Sequence, residues 1–127
     1  NGKKLKQVSD IQLEKAIVVM SGYTSYWNEG EAKLDQVLSK KINIRGSSLS
    51  AINETLWVVS GRMHALTFAG AFTWDIAPIS CFGPEVGLKV TRKDGQPWKL
   101  NDKKRGLVVA PPKLHAELLK IVKSVQS

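Results

Sequence analysis

Two histidines and one lysine-rich segment are the features of this chain with chemistry within reach. His64 and His115 are its only histidines, the side chains whose ordinary pKa permits proton transfer near neutral pH. A pair of imidazoles, one as base and one as acid, together with a lysine to stabilise charge on phosphorus, is what a metal-independent ribonuclease needs. Sequence separation does not establish that the two meet. His64 lies between Met63 and Ala65, and His115 follows Leu114, which is the setting of a structural histidine.

The basic segment is the stronger lead. From Val86 to Ser127 there are ten basic residues against three acidic ones, whereas the first 85 residues have nine against eight. Lys89, Arg92, Lys93, Lys99, Lys103, Lys104 and Arg105 cluster around Asp94-Gly95 and Trp98. Such a group could follow a phosphate backbone, with Trp98 stacking on an unpaired base. The opposing consideration is composition: lysines outnumber arginines fifteen to four, and lysine is also the ordinary solubilising residue, with little bidentate specificity for phosphate. Trp98 after Pro97 is equally suited to closing one end of a core.

Other chemistries have less support. A single cysteine, Cys81, rules out an intrachain disulfide and a four-thiolate zinc site; between Ile79 and Phe82 it reads as a small core residue. Glu29, Glu31 and Asp35 form a carboxylate group best explained as a solvated helix face near an N-terminus. There is no G-x-G-x-x-G, no P-loop and no G-x-S-x-G elbow. No cofactor and no metal are implied.

These residues need elements to position them. Ser9 and Gln12 resemble a capping box, and Ile11, Leu13, Ala16, Ile17 and Met20 recur at helical spacing, which predicts a helix over 10–20. Asn28 and Glu31 predict the start of a second helix, with Ala32, Leu34, Val37 and Leu38 as its apolar side. Over 49–68 two readings compete. The stripe Leu49, Ile52, Leu56, Val59, Met63, Leu66 suits one long helix, whereas Leu56–Val59, a Ser60-Gly61 turn and the alternation His64, Leu66, Phe68 suit a hairpin. A short helix from Ser48 to about Thr55 followed by strands would reconcile them. From Phe72 onward Pro78, Gly83 and Pro84 predict loop and strand. Val86–Lys93 alternates as a strand, Asp94-Gly95 is a turn, Leu107–Val109 is a buried strand, and Pro112 opens a last helix with the stripe Leu114, Leu118, Ile121, Val125.

With 127 residues, 43% apolar and 24% charged, the chain has the composition of one ordinary globular domain, here spanning 1–127, with residues 1–7 as a flexible basic extension. Its apolar runs are too short to span a membrane. It opens at Asn1 without an initiator methionine, as a processed product or excised domain would, and its lone cysteine fits a reducing, cytoplasmic compartment.

Asp94-Gly95-Gln96-Pro97 followed by Leu107-Val108-Val109-Ala110-Pro111-Pro112-Lys113-Leu114 resembles a segment of tailed-phage major capsid proteins, in which a D-G-x-P turn precedes a strand-to-helix junction. That resemblance implies an assembly role. The expectation is an α+β fold with N-terminal helices, a small antiparallel sheet and a C-terminal amphipathic helix packed on it. Its expected function is binding of RNA, single-stranded nucleic acid or another polyanion through the basic C-terminal third. The alternatives are a small ribonuclease using His64 and His115 and a non-catalytic assembly module such as a viral structural fragment.

Overall fold

A five-stranded sheet organises the structure, a computed structural model that describes residues 2–22, 27–103 and 106–126. The elements in chain order are β1 (Ile17–Ser21), α1 (Glu29–Ser39), β2 (Ile44–Gly46), α2 (Ala51–Val59), β3 (Ala65–Phe68), α3 (Thr73–Glu85), β4 (Lys89–Arg92), β5 (Leu107–Ala110) and α4 (Pro112–Gln126). A single 3-10 turn, Leu13–Lys15, precedes β1. Strand order is β2-β1-β3-β5-β4. β1 runs parallel to β2 and β3, and β5 runs antiparallel to both of its neighbours. The α+β class holds, but the sheet is mixed rather than antiparallel.

Strand alternation divides the core into two layers. Val18, Met20, Ala65, Val108 and Ala110 face α1 and α4, meeting Leu34, Leu38, Leu114, Leu118 and Val122. Val19, Leu66, Phe68, Leu107 and Val109 face α2 and α3, meeting Val58, Val59, Ile76 and Ile79. The chain moves outward from β1 to β2 through α1 on one face. It returns past β1 to β3 through α2 on the other, because a right-handed crossover that reverses direction must also change face.

Where local signals were strong the elements are as expected. Asn28 caps α1 by accepting from the Glu31 N–H at 3.0 Å. Pro112 opens α4, whose next two amides, Lys113 N–H and Leu114 N–H, donate to the two oxygens of Asp10 at 2.8 and 3.0 Å. Arg92 N–H donates to the Gln96 carbonyl at 2.8 Å, closing the turn after β4.

Three elements correct the sequence reading. Residues 17–21 form a strand, not the end of a helix: Val18, Val19 and Met20 are all buried, and a central strand covered on both faces is apolar throughout, which mimics a helical stripe. Over 49–68 there is neither one helix nor a hairpin. α2 runs on to Val59, Gly61 at φ 74° ends it in a left-handed turn, and β3 pairs with β1 and β5 instead of folding back on the preceding residues. Residues 73–85 form a helix in spite of Pro78 and Pro84. Pro78 has no N–H to donate to the Trp74 carbonyl, and burial of Ile76 and Ile79 outweighs the lost bond. Gly83 allows α3 to close on β4, since a Cβ there would lie 2.9 Å from Val90 Cγ2.

Candidate functional site

The parallel strands β1 and β3 are neighbours, but at their C-terminal ends the chain departs in opposite directions, from β1 towards β2 and from β3 towards β4. Such a divergence leaves a crevice at the carboxyl edge of a sheet. Here it is a cleft of about 600 Å3, within the range of small-molecule sites. Ser21 and Gly22 enter it from the end of β1, and Phe68, Ala69, Gly70 and Ala71 from the end of β3.

Three helices begin at this cleft. Trp27, Asn28 and Glu31 belong to the start of α1, Leu49 and Ala51 to the start of α2, and Phe72 and Asp75 to the start of α3. Helices of 11, 9 and 13 residues thus direct the positive ends of their dipoles at one cavity, an arrangement that favours an anion. Asn28 and Ser50 cap the first two helices with side-chain oxygens. Phe72, at the N-cap of α3, has no such acceptor. The reciprocal contact is made by Asp75, whose Oδ2 accepts from the Phe72 N–H at 3.2 Å. That bond fixes a half-buried carboxylate at the mouth of the cleft.

The second carboxylate on the lining is held differently. Glu31 is 3% exposed and ion-paired with Lys93, which turns inward from the end of β4. Burial pulls the Lys93 ammonium down to about 8 against this pairing. The sequence reading of Glu31 as part of a solvated face is therefore corrected: the side chain is buried and Lys93 meets its charge.

The expected site residues are dispersed. His64 lies just before β3, at the edge of the sheet opposite the cleft, where its Nδ1 accepts from the Ile17 N–H at 2.9 Å and burial lowers its pKa. His115 is buried in α4, its Nε2 2.8 Å from Thr91 Oγ1. The Thr91 hydroxyl also reaches the Arg92 carbonyl at 2.9 Å. Burial, and next the Lys89 charge, hold it down to about 4, against a smaller opposing pull from the Val108 backbone. Each imidazole thus fastens one element to another, and a buried neutral histidine at that pKa is poorly placed to shuttle protons near neutrality.

In the basic segment, Lys89, Lys99 and Lys103 are exposed. Arg92 is clamped bidentately by Asp94 and reaches Asp102 at 3.0 Å, Lys93 is taken by Glu31, and Trp98 packs on the α2–α3 core layer. Lys104 and Arg105 lie outside the described residues. Cys81, expected in the core, is exposed. The cleft itself was missed in the sequence; the signals present were Asn28 and Ser50 as caps and Asp75 in the first turn of an unrecognised helix.

Solved structures share this fold. The inositol monophosphatase of Thermotoga maritima superposes with a TM-score of 0.83 at 21% identity, over 98% of this chain and 47% of its own. The extragenic suppressor protein suhB of Bartonella henselae gives 0.87 at 15%, over 97% and 48%. An IMPase/NADP phosphatase complexed with Mg2+ and phosphate gives 0.78 at 22%, over 94% and 44%. The chain thus spans about half the length of these proteins. No curated protein matches it in sequence. The sequence model of the inositol monophosphatase family, however, matches residues 1–127.

These findings overturn the expected binding of RNA, single-stranded nucleic acid or another polyanion through the C-terminal third. They equally overturn the two-histidine ribonuclease and the capsid-like assembly module. The structural reasons are the ones above: acidic partners absorb Arg92 and Lys93, Trp98 serves the core, and the histidines are joints. Matched by that family from its first residue to its last, the chain belongs to the inositol monophosphatase family.

Proposed function

We propose that the chain forms part of a phosphatase that hydrolyses a phosphate monoester of a small molecule, with the cleft at the carboxyl edge of β1 and β3 as part of its active site. The observation that carries this reading is the family match over residues 1–127, and the convergence of three helix N-termini on the cleft agrees with it. In the reaction, water adds to phosphorus, the bond from phosphorus to the ester oxygen breaks, and that oxygen takes up a proton, leaving an alcohol and inorganic phosphate.

The chain's own residues supply binding and orientation. The dipoles of α1, α2 and α3 hold the phosphate's charge at no cost in reorganisation. Buried Phe68 at the end of β3 keeps bulk water from the cleft floor. Asp75 is the informative exception, because a carboxylate beside a phosphate repels it unless a cation lies between them. A carboxylate oxygen is the donor that Mg2+ prefers, so Asp75 fits as one ligand. Among the described residues no group of three or more histidine, cysteine or acidic side chains is assembled, so Asp75 would contribute to a shell completed from outside them. When bound, such an ion would acidify a coordinated water and offset charge on the phosphoryl oxygens.

Phosphate release from an inositol monophosphate, measured with and without Mg2+ on the protein that carries this sequence, tests the reading. Asp75→Asn keeps the acceptor for the Phe72 N–H and removes the charge. It should lower kcat/KM by roughly a hundredfold or more at unchanged Tm. Full activity in Asp75→Asn, or release that ignores added Mg2+, would overturn the assignment.

A further inference from the structure

Two unfavourable features fall on one turn, and that turn ends at the cleft. Between β2 and α2 the chain passes through Ser48, Leu49 and Ser50, and Leu49 and Ala51 line the cleft on either side of the α2 cap. Leu49 is the one non-glycine residue among those described with positive φ, at 61°. A bulky side chain in the left-handed region costs energy that glycine or asparagine would avoid, and burial does not offset it, because Leu49 is 58% exposed. The second is Glu54, in the first turn of α2. It is 0% exposed, and its Oε2 has no hydrogen-bond partner among the described residues. An apolar side chain in its place would avoid that desolvation.

One set of contacts links the two. The other carboxyl oxygen of Glu54, Oε1, accepts from the Ser48 N–H at 2.9 Å and lies 3.5 Å from the Ser48 hydroxyl. That hydroxyl accepts from the Ser50 N–H at 3.2 Å and stands 3.2 Å from the Ser50 carbonyl, so Ser48 and Ser50 are bridged across Leu49. Ser50 in turn caps α2, its Oγ accepting from the Asn53 N–H at 3.5 Å. A left-handed leucine persists only where its surroundings over-determine it. Here the buried carboxyl fixes Ser48, Ser48 fixes Ser50, and Leu49 is held between them.

We infer that Glu54 is a positioning residue for this site. It is not on the cleft lining and acts through the Ser48–Ser50 turn, which it holds, together with the start of α2, in the form presented to the phosphate. The inference rests on the phosphatase reading for its effect on rate, and on the turn alone for its effect on structure. A displacement of about 1 Å at a binding element can lower a rate about a hundredfold, so loss of the Ser48 contact registers in kcat/KM although it lies behind the cleft.

Three substitutions in the protein that carries this sequence separate positioning from packing. Glu54→Leu removes the acceptor and fills its place with an apolar side chain, Glu54→Gln keeps a carbonyl oxygen for the Ser48 N–H, and Leu49→Asn adopts the left-handed conformation without being forced into it. With an inositol monophosphate as substrate, Glu54→Leu should lower kcat/KM at least about tenfold and Glu54→Gln no more than about threefold. Added to Leu49→Asn, Glu54→Leu should cost no more than about threefold relative to Leu49→Asn alone, since the turn then keeps its form unaided. A role confined to the stability of α2 would change Tm and leave kcat/KM of the folded protein unmoved. Unchanged kcat/KM in Glu54→Leu, an equal loss in Glu54→Gln, or an equal loss with and without Leu49→Asn would overturn the inference. Hydrogen exchange at the Ser50 amide reads the turn without a substrate: it should be at least about tenfold faster in Glu54→Leu, and near the wild-type rate in Glu54→Gln. If the wild type does not hydrolyse the ester, the phosphatase reading fails, and this exchange decides the inference separately: the stated pattern upholds the hold of Glu54 on the turn, and equal exchange in all three proteins overturns it.

Discussion

Replacing His115 by leucine should make the protein less sensitive to acid, and the size of the effect follows from where the imidazole sits. His115 is 1% exposed, is hydrogen-bonded to Thr91 and is held at a pKa of about 4 where 6.5 is ordinary. Between those values the unfolded chain binds a proton that the folded chain refuses, so unfolding gains as pH falls. The stability contribution is complete above 6.5, declines as pH drops through that value, and stops declining near 4. At about 1.4 kcal/mol per unit this amounts to about 3 kcal/mol. Leucine has a similar volume and does not titrate, and the Thr91 hydroxyl keeps the Arg92 carbonyl as its acceptor. Carboxylates titrate alike in both proteins and cancel in the comparison. Urea unfolding at pH 7 and pH 4 should therefore show the wild type losing about 3 kcal/mol more than His115→Leu, a midpoint difference of roughly 1–2 M urea. Lys89→Met, which removes the second cause of the low pKa, should shrink the wild-type loss. If His115→Leu and the wild type lose stability equally between the two pH values, His115 is not the buried neutral group described here.

Two further substitutions test the packing of α1 and α3 against β4 and the residue after it, beside the Asp75→Asn experiment above. Glu31→Gln leaves the Lys93 ammonium covered without its counter-charge and should cost about 3 kcal/mol at pH 7 by chemical denaturation, most of it recovered in the double variant Glu31→Gln, Lys93→Met; an additive double variant would show the pair to be unimportant. Gly83→Ala places a methyl 2.9 Å from Val90 Cγ2, so the contact between α3 and β4 must open. The expected loss is about 1–3 kcal/mol, and an alanine variant as stable as the wild type would show that α3 has room to move.

Effects between residues close in the chain are legible in the sequence. Asn28 and Glu31 mark the start of α1 because a cap acts on amides two or three residues away. Pro112 and the stripe through Leu114, Leu118 and Val125 specify α4, and Asp94-Gly95 between alternating runs specifies the turn after β4. The α+β class follows from such pieces. The tertiary structure decided the rest. Ile17–Ser21 is a strand because β2 and β3 pair with it on either side and helices cover both of its faces, a burial that leaves no periodicity to read. Thr73–Glu85 is a helix because Ile76 and Ile79 are buried against the sheet, which outweighs two prolines. Asp75, passed over in the sequence, gained its place when β1 and β3 were paired in parallel and sent their connections opposite ways. The lysines and histidines that drew attention first became ion pairs, joints and solvated surface. The starts of three helices distant in sequence meet at one cleft because the strands between them pair in parallel and send their connections opposite ways.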